Sequence, residues 1–222
     1  MKKSKVIDLI IKLLMLATVG LAYYFYQVLP DEVITHWNGA GQPDDWGSKM
    51  FHILFTPLLM IAVWILFMYL PKLDPKRRNY DDFMPTYKII QLVIIGFFFV
   101  LFVITSLVNM DYNIPIGMVI PFMVGILFII MGVYMKDIKP NWFVGIRTPW
   151  TLSSDEVWQR THKYGGKAFM IGGVMFLAIP FFPPGMFVYA FILAILAILS
   201  SLVYSYFVYK SIKKGPEGDR DL

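Results

Sequence analysis

The sequence predicts an all-α, polytopic membrane protein: six transmembrane helices, with both termini cytoplasmic. Three observations predict it. Apolar residues fill 58% of the 222 positions and charged residues only 16%, too few polar groups to clothe a soluble domain of this size. The apolar residues fall into runs of about 20, each long enough to cross a hydrocarbon core of roughly 30 Å. Lysine and arginine crowd the connections on one side of those runs and nearly vanish from the other.

The first run covers Val6 to Leu29, behind Lys2, Lys3 and Lys5. It is too long for a signal peptide and ends in YYFYQVLP with no small-residue cleavage site, so it reads as a retained helix. Asp8 and Lys12 stand one turn apart near its start and are expected to pair at headgroup level. The loop 30–49 follows, PDEVITHWNGAGQPDDWGSK. Gly39, Gly41, Pro43 and Gly47 predict a compact, turn-rich structure there, with Asp31, Glu32, Asp44 and Asp45 facing outward.

The next runs are Met50–Leu70, Tyr87–Val108, Pro115–Met135, Lys167–Phe182 and Met186–Tyr209. Pro183, Pro184 and Gly185 enforce a tight turn between the last two. The fifth is short and is expected to borrow its first turn from the polar loop before it. The tail from Gly215 is expected to be disordered.

Charge placement then orients the chain. Lys72, Lys76, Arg77, Arg78, Lys136, Lys139, Arg147, Arg160, Lys163, Lys210, Lys213, Lys214 and Arg220 share one side with the N-terminal lysines, while Lys49 stands on the other. The positive-inside rule puts the crowded side in the cytoplasm. It also assigns the net charge of +5 to contact with anionic membrane lipids, with no direct nucleic-acid partner. Two regions are expected: 1–136, with four helices and the external loop 30–49, and 137–222, with the cytoplasmic loop 137–166 and two helices.

That second loop is the longest polar segment. It holds Trp142, Trp150, Trp158, Arg147, Arg160, His162, Asp155 and Glu156. Ser153 with Glu156 reads as a capping box, so a helix is expected from about Ser154. Val157, Trp158, Thr161 and His162 then fall on one face. Gly165 and Gly166 are expected to end or bend that helix, and Pro140 and Pro149 to hold the chain before it extended. Gly145 permits an unusual backbone angle, and Arg147 can dock on carboxylates, carbonyls or lipid phosphate. An interfacial helix anchored by Trp and Arg and a partner-docking surface are both compatible with this composition. Small residues at Ala168, Gly172, Ala190, Ala194, Ala197 and Ser201 predict close packing between the last two spans.

The available chemistry is narrow. The apolar interiors of spans two to six carry no Asp, Glu, Lys, Arg or His, which disfavours an ion-coupled transporter but leaves a passive permease open. There is no cysteine, so no disulfide and no thiolate metal site. His36, His52, Asp44 and Asp45 would be the outward metal cluster, yet their spacing matches no zinc motif. No phosphate-binding loop, nucleophile elbow or paired-carboxylate helix is present, so no cofactor or catalytic residue is expected. A membrane enzyme using Asn, His and Arg groups near the bilayer surface has no positive support and stands only as an alternative.

Two stretches resemble a known family. NWFVGIRTPWTLSSDEVWQRTHKYGGKAF is similar to the signature of SdpI-type membrane proteins, through Asn141, Gly145, Arg147, Thr148, Pro149, Trp150, Trp158 and His162. LPDEVITHWNGAGQPDDWGSK resembles the small uncharacterised domain that often forms their N-terminal part, through His36, Trp37, Asn38, Gly41, Pro43, Asp44 and Lys49. The segment DPKRRNYDD belongs to neither pattern. The resemblance implies an immunity protein of the bacterial cell membrane that protects its producer from a secreted, hydrophobic peptide toxin. It also implies a receptor role, drawing an ArsR-like repressor to the membrane. The expected ligand contacts are His36, Trp37, Asn38, Asp44 and Trp46. The expected partner contacts are Asn141, Arg147, Trp150, Trp158, Arg160 and His162.

Overall fold

The computed structural model describes residues 2–183 and 187–213. Its helices are α1 (Lys2–Val28), α2 (Lys49–Leu73), α3 (Tyr80–Val108), α4 (Ile116–Met135), α5 (Pro149–Ser153), α6 (Asp155–Ala178) and α7 (Phe187–Lys213). All but the short α5 are long and apolar enough to cross a membrane, which makes six spans. Pro184 and Gly185 of the expected turn lie outside the described residues, as does the tail from Gly215.

These helices are apolar on their outer faces as well. Leu16 is 69% exposed, Leu58 59% and Val203 59%, and no polar stripe covers them. In water such faces would be costly; against lipid tails they are the solvated surface. Association therefore depends on close packing and buried hydrogen bonds rather than on the hydrophobic effect.

The spans gather into two trios. α1, α2 and α3 pack on one another, and α4 packs on α6, which packs on α7. Glycines set the second trio. A Cβ on Gly166 would meet the Gly132 carbonyl oxygen at 2.7 Å, and one on Gly173 would meet that of Gly125 at 2.7 Å, so α4 and α6 touch backbone to backbone. Gly172 opens the same kind of approach to Ala194 and Ile198 of α7, as the small-residue pattern predicts. α4 thus joins α6 and α7 in one packed unit, although it lies before residue 137.

The trios meet most firmly at one end. There Phe67, Tyr80, Phe83, Tyr87, Ile90, Met135, Ile138, Ile146 and Trp158 form a single aromatic-rich core. At the opposite end the loop 30–49 is not merely turn-rich. It folds into an antiparallel hairpin, β1 (Glu32–Trp37) and β2 (Pro43–Ser48), with bulges on either side of His36. Gly41 makes its tip with φ +76° and sits on Gly117 at the start of α4, where a Cβ would approach the Gly117 nitrogen to 2.6 Å. Ser48 closes β2 and caps α2, its hydroxyl accepting from the Phe51 N–H.

Local expectations change in four places. Asp8 takes the ammonium of Lys88 at 2.8 Å, tying α1 to α3, rather than that of Lys12. Ser154, not Ser153, caps α6 by accepting from the Val157 N–H. Pro149 does not extend the chain; it opens α5, which Thr148 and Thr151 cap reciprocally. Gly165 and Gly166 neither end nor bend α6, which runs unbroken from Asp155 to Ala178. Their missing side chains instead make room for Ile146 and for the backbone of α4. The fifth span therefore borrows three turns from the polar loop, not one.

Candidate functional site

The hairpin roofs a cavity of about 680 Å³ between the two trios. Its walls are Phe51 and Phe55 of α2, Leu101 of α3, Ile120 and Phe128 of α4, Phe176 of α6 and Ile195 of α7. Polar groups are sparse: Thr35, His36, Asn38, His52, Thr56 and Thr105. A mostly apolar recess with a few polar groups at its mouth is the usual form of a ligand site.

The predicted ligand residues divide here. His36, Trp37 and Asn38 line the cavity. Asp44 reaches it only through His36, whose Nδ1 lies 2.6 Å from the Asp44 carboxylate. Asn38 also builds the turn: its Oδ1 accepts from the Ala40 and Gln42 N–H groups. Trp46 stands apart on the outer face of β2, 53% exposed, and is not among the lining residues. His52 faces Ser106 across the helix interface at 2.9 Å. Among the described residues no three His, Asp or Glu side chains come together as a metal site.

Two residues here escaped the sequence reading. Asn109 holds the roof to α3: its Oδ1 accepts from the Ile34 N–H at 2.7 Å and its Nδ2 donates to the Ile34 carbonyl at 3.1 Å. Ser106 lies a turn earlier and is fully buried. The only available signal was a polar pair at the end of an apolar run, next to a short connection.

The opposite end is built from loop 137–166. Asn141 is its knot. The side chain is fully buried; its Oδ1 accepts from the Phe143 and Val144 N–H groups, and its Nδ2 donates to the Lys139 and Val144 carbonyls. Trp158 is 1% exposed and donates its indole N–H to the Ile138 carbonyl at 2.8 Å. His162 stacks on Trp158 with ring centroids 4.1 Å apart. Its Nε2 accepts from the Ile146 N–H, so Nδ1 must carry the proton it donates to the Trp158 carbonyl. Gly145, with φ +113°, passes directly over that Nε2, and a Cβ there would collide with it.

Asn141, Trp158 and His162 therefore face inward, and Val157 and Thr161 are buried with them, as the helical spacing predicts. The surface belongs to other residues. Trp142 is 50% exposed; Arg147 is exposed and donates to the Trp142 carbonyl at 2.7 Å. Arg160 is exposed and pairs with Glu156 one turn away at 2.6 Å. Trp150 is half-buried against Tyr206 of α7.

The segment DPKRRNYDD, which matched no pattern, turns out to hold this loop. The buried Asp74 carboxylate accepts from the Trp142 and Lys76 N–H groups and from the Tyr80 hydroxyl. Asn79 donates to the Pro140 carbonyl at 2.7 Å. Each acceptor is satisfied inside the protein, so the connection after α2 and the loop after α4 behave as one ordered block.

Fold and site together define a multi-pass cell-membrane protein with a roofed apolar cleft at one end and an ordered tryptophan-bearing loop at the other. Residues 137–205 match the SdpI/YfhL protein family, and residues 13–61 match a domain of unknown function, DUF1648. The second match covers the hairpin and the helix halves that frame it. The chain is also 28% identical, over 211 residues, to "Immunity protein SdpI" of Bacillus subtilis (strain 168), covering 95% of this chain and 98% of that one. It is thus a membrane protein similar to the SdpI type, through residues 137–205 by the family match and along nearly its whole length by likeness to that relative. No solved structure matches it.

Proposed function

We propose that this protein is a membrane immunity protein that captures a secreted hydrophobic peptide toxin at its hairpin end. The observation that carries the reading is the cleft of about 680 Å³, apolar within and roofed by a hairpin whose strands bear Glu32, Asp44 and Asp45. Likeness to a relative named for immunity supports it along nearly the whole chain. The charge asymmetry supports placing the hairpin outside: Asp31, Glu32, Asp44, Asp45 and Asp111 stand at that end, while Lys72, Arg77, Arg78, Lys136, Lys139 and Arg147 stand at the other. A binding role needs no catalytic group.

The test is protection. Toxin-sensitive cells expressing the protein should survive a membrane-active peptide that kills the parent strain. Trp37→Ala and Asp44→Ala should each weaken survival at least tenfold at unchanged protein level. Equal killing with and without the protein, across candidate peptides, would remove the reading.

A second activity, recruitment of a soluble ArsR-like repressor, is supported by the ordered loop block and its exposed Trp142, Arg147 and Arg160. In this reading Asn141, Trp158 and His162 position the surface rather than touch the partner. Arg147→Ala should release the repressor from the membrane while protection persists; recruitment that survives the change argues against this surface.

A further inference from the structure

We infer that the cleft receives its peptide as an added β-strand: a cationic, apolar segment in extended form, paired along the open edge of β1. The inference rests on the capture reading above and specifies the ligand's chemistry and pose.

The first argument is how the strand lies. Side chains alternate between the two faces of a strand, so a strand lying flat over a cavity lines it with every second residue. Here four consecutive strand residues, Ile34 to Trp37, all line it, as do Asn38 and Gly39 of the turn. β1 therefore presents its edge to the cleft. The hairpin has two strands, with β2 on the other side of β1. The cleft side thus holds the groups that a third strand would pair.

The second argument is that one rung of such a strand is already present. Asn109 offers an amide to Ile34, accepting from its N–H and donating to its carbonyl. That is the pair of bonds a neighbouring backbone amide makes. Among the described residues, no other side chain bonds the β1 backbone. The edge beyond Ile34, toward Trp37, continues over the cavity, where an incoming backbone could extend the ladder that Asn109 begins.

The third argument is charge. The hairpin end carries Asp31, Glu32, Asp44, Asp45 and Asp111 against Lys49 as its basic residue. Lys49 is spent on Asp31 at 2.9 Å. Glu32 and Asp45 have no ion-pair partner among the described residues. A lysine-bearing peptide is drawn to this rim, and its alternate apolar side chains drop into the cleft.

The experiment uses the full chain in phosphatidylcholine nanodiscs and three synthetic probes. The first is a hexapeptide of two lysines followed by alternating valine and leucine. The second replaces its lysines by glutamates. The third N-methylates alternate backbone nitrogens, which removes strand donors and keeps the side chains. Binding of the first should exceed that of the other two by at least tenfold, and Thr56→Trp, which fills the cleft, should abolish it. The peptide arms need no change to the protein, so a misfolded variant cannot hide the outcome. Equal binding of the N-methylated probe would overturn strand pairing. Equal binding of the glutamate probe would overturn the charge argument, and a cleft that retains phospholipid and excludes every probe would overturn the occupant. Protection of cells together with indifference to N-methylation would sink this inference while leaving immunity intact. Selective binding with no protection would do the reverse.

Discussion

Gly145 and His162 hold each other in place. The loop passes over the imidazole with φ +113°, a region costly for any residue with a Cβ, and the ring nitrogen fills the space a Cβ would need. Both ring nitrogens are used inside the protein, one accepting from Ile146 and one donating to Trp158, so His162 fixes the loop's path and is not free to ligate or catalyse. Gly145→Ala should therefore cost about 1–2 kcal/mol from the backbone angle and about 1–3 kcal/mol from crowding. Thermal unfolding in detergent checks it. Adding His162→Ala should recover part of the crowding loss, whereas an unchanged Tm for the single variant would show that the loop takes another path.

At the scale of elements the hairpin is the weakest part. An isolated two-stranded hairpin is marginal in water, and this one depends on Gly41 seated on Gly117 and on the Asn109 amide bonded to Ile34. Asn109→Leu removes both bonds, each worth about 1 kcal/mol net, and leaves the Ile34 groups unpaired. Amide hydrogen exchange in residues 32–48 should rise at least tenfold while α4 and α6 stay protected. Exchange that does not change would mean that the roof stands without Asn109.

The same element shows where the sequence was legible. EVITHW carries the β-branched and aromatic residues of a strand, but its partner PDDWGS, Trp46 apart, is made mostly of residues that strands avoid. β2 exists because β1 pairs with it, a tertiary effect that composition does not display. The spans were legible because hydrophobic length is a local property. The inner face of α6 was legible because helical spacing is local as well. What was hidden lies far apart in the chain: Asp8 with Lys88, Asp74 with Trp142, Asn109 with Ile34. The residues expected to touch ligand fared similarly. His36, Trp37 and Asn38 reach the cleft, but nothing local distinguishes them from Trp46, which faces away. Likewise Trp150 and Trp158 read alike in sequence, and only packing separates the half-exposed ring from the buried one.

Over the whole molecule, two trios are closed by an aromatic core at one end and parted at the other by a cleft whose mouth lies by the hairpin. The functional reading needs that mouth to face outward and to be occupied by the peptide. The chain has no cysteine, so a single introduced thiol reports on one place. Gly39 lies exposed on the hairpin at the cavity's edge, and Trp142 lies exposed at the opposite end. The most direct measurement is therefore labelling of intact cells by a membrane-impermeant maleimide, with Gly39→Cys and Trp142→Cys compared. Rapid labelling at 39, slowed at least tenfold by a peptide against which the protein protects, and no labelling at 142 without lysis, is the predicted result. Labelling at 142 from outside, or labelling at 39 that the protective peptide leaves untouched, would contradict it.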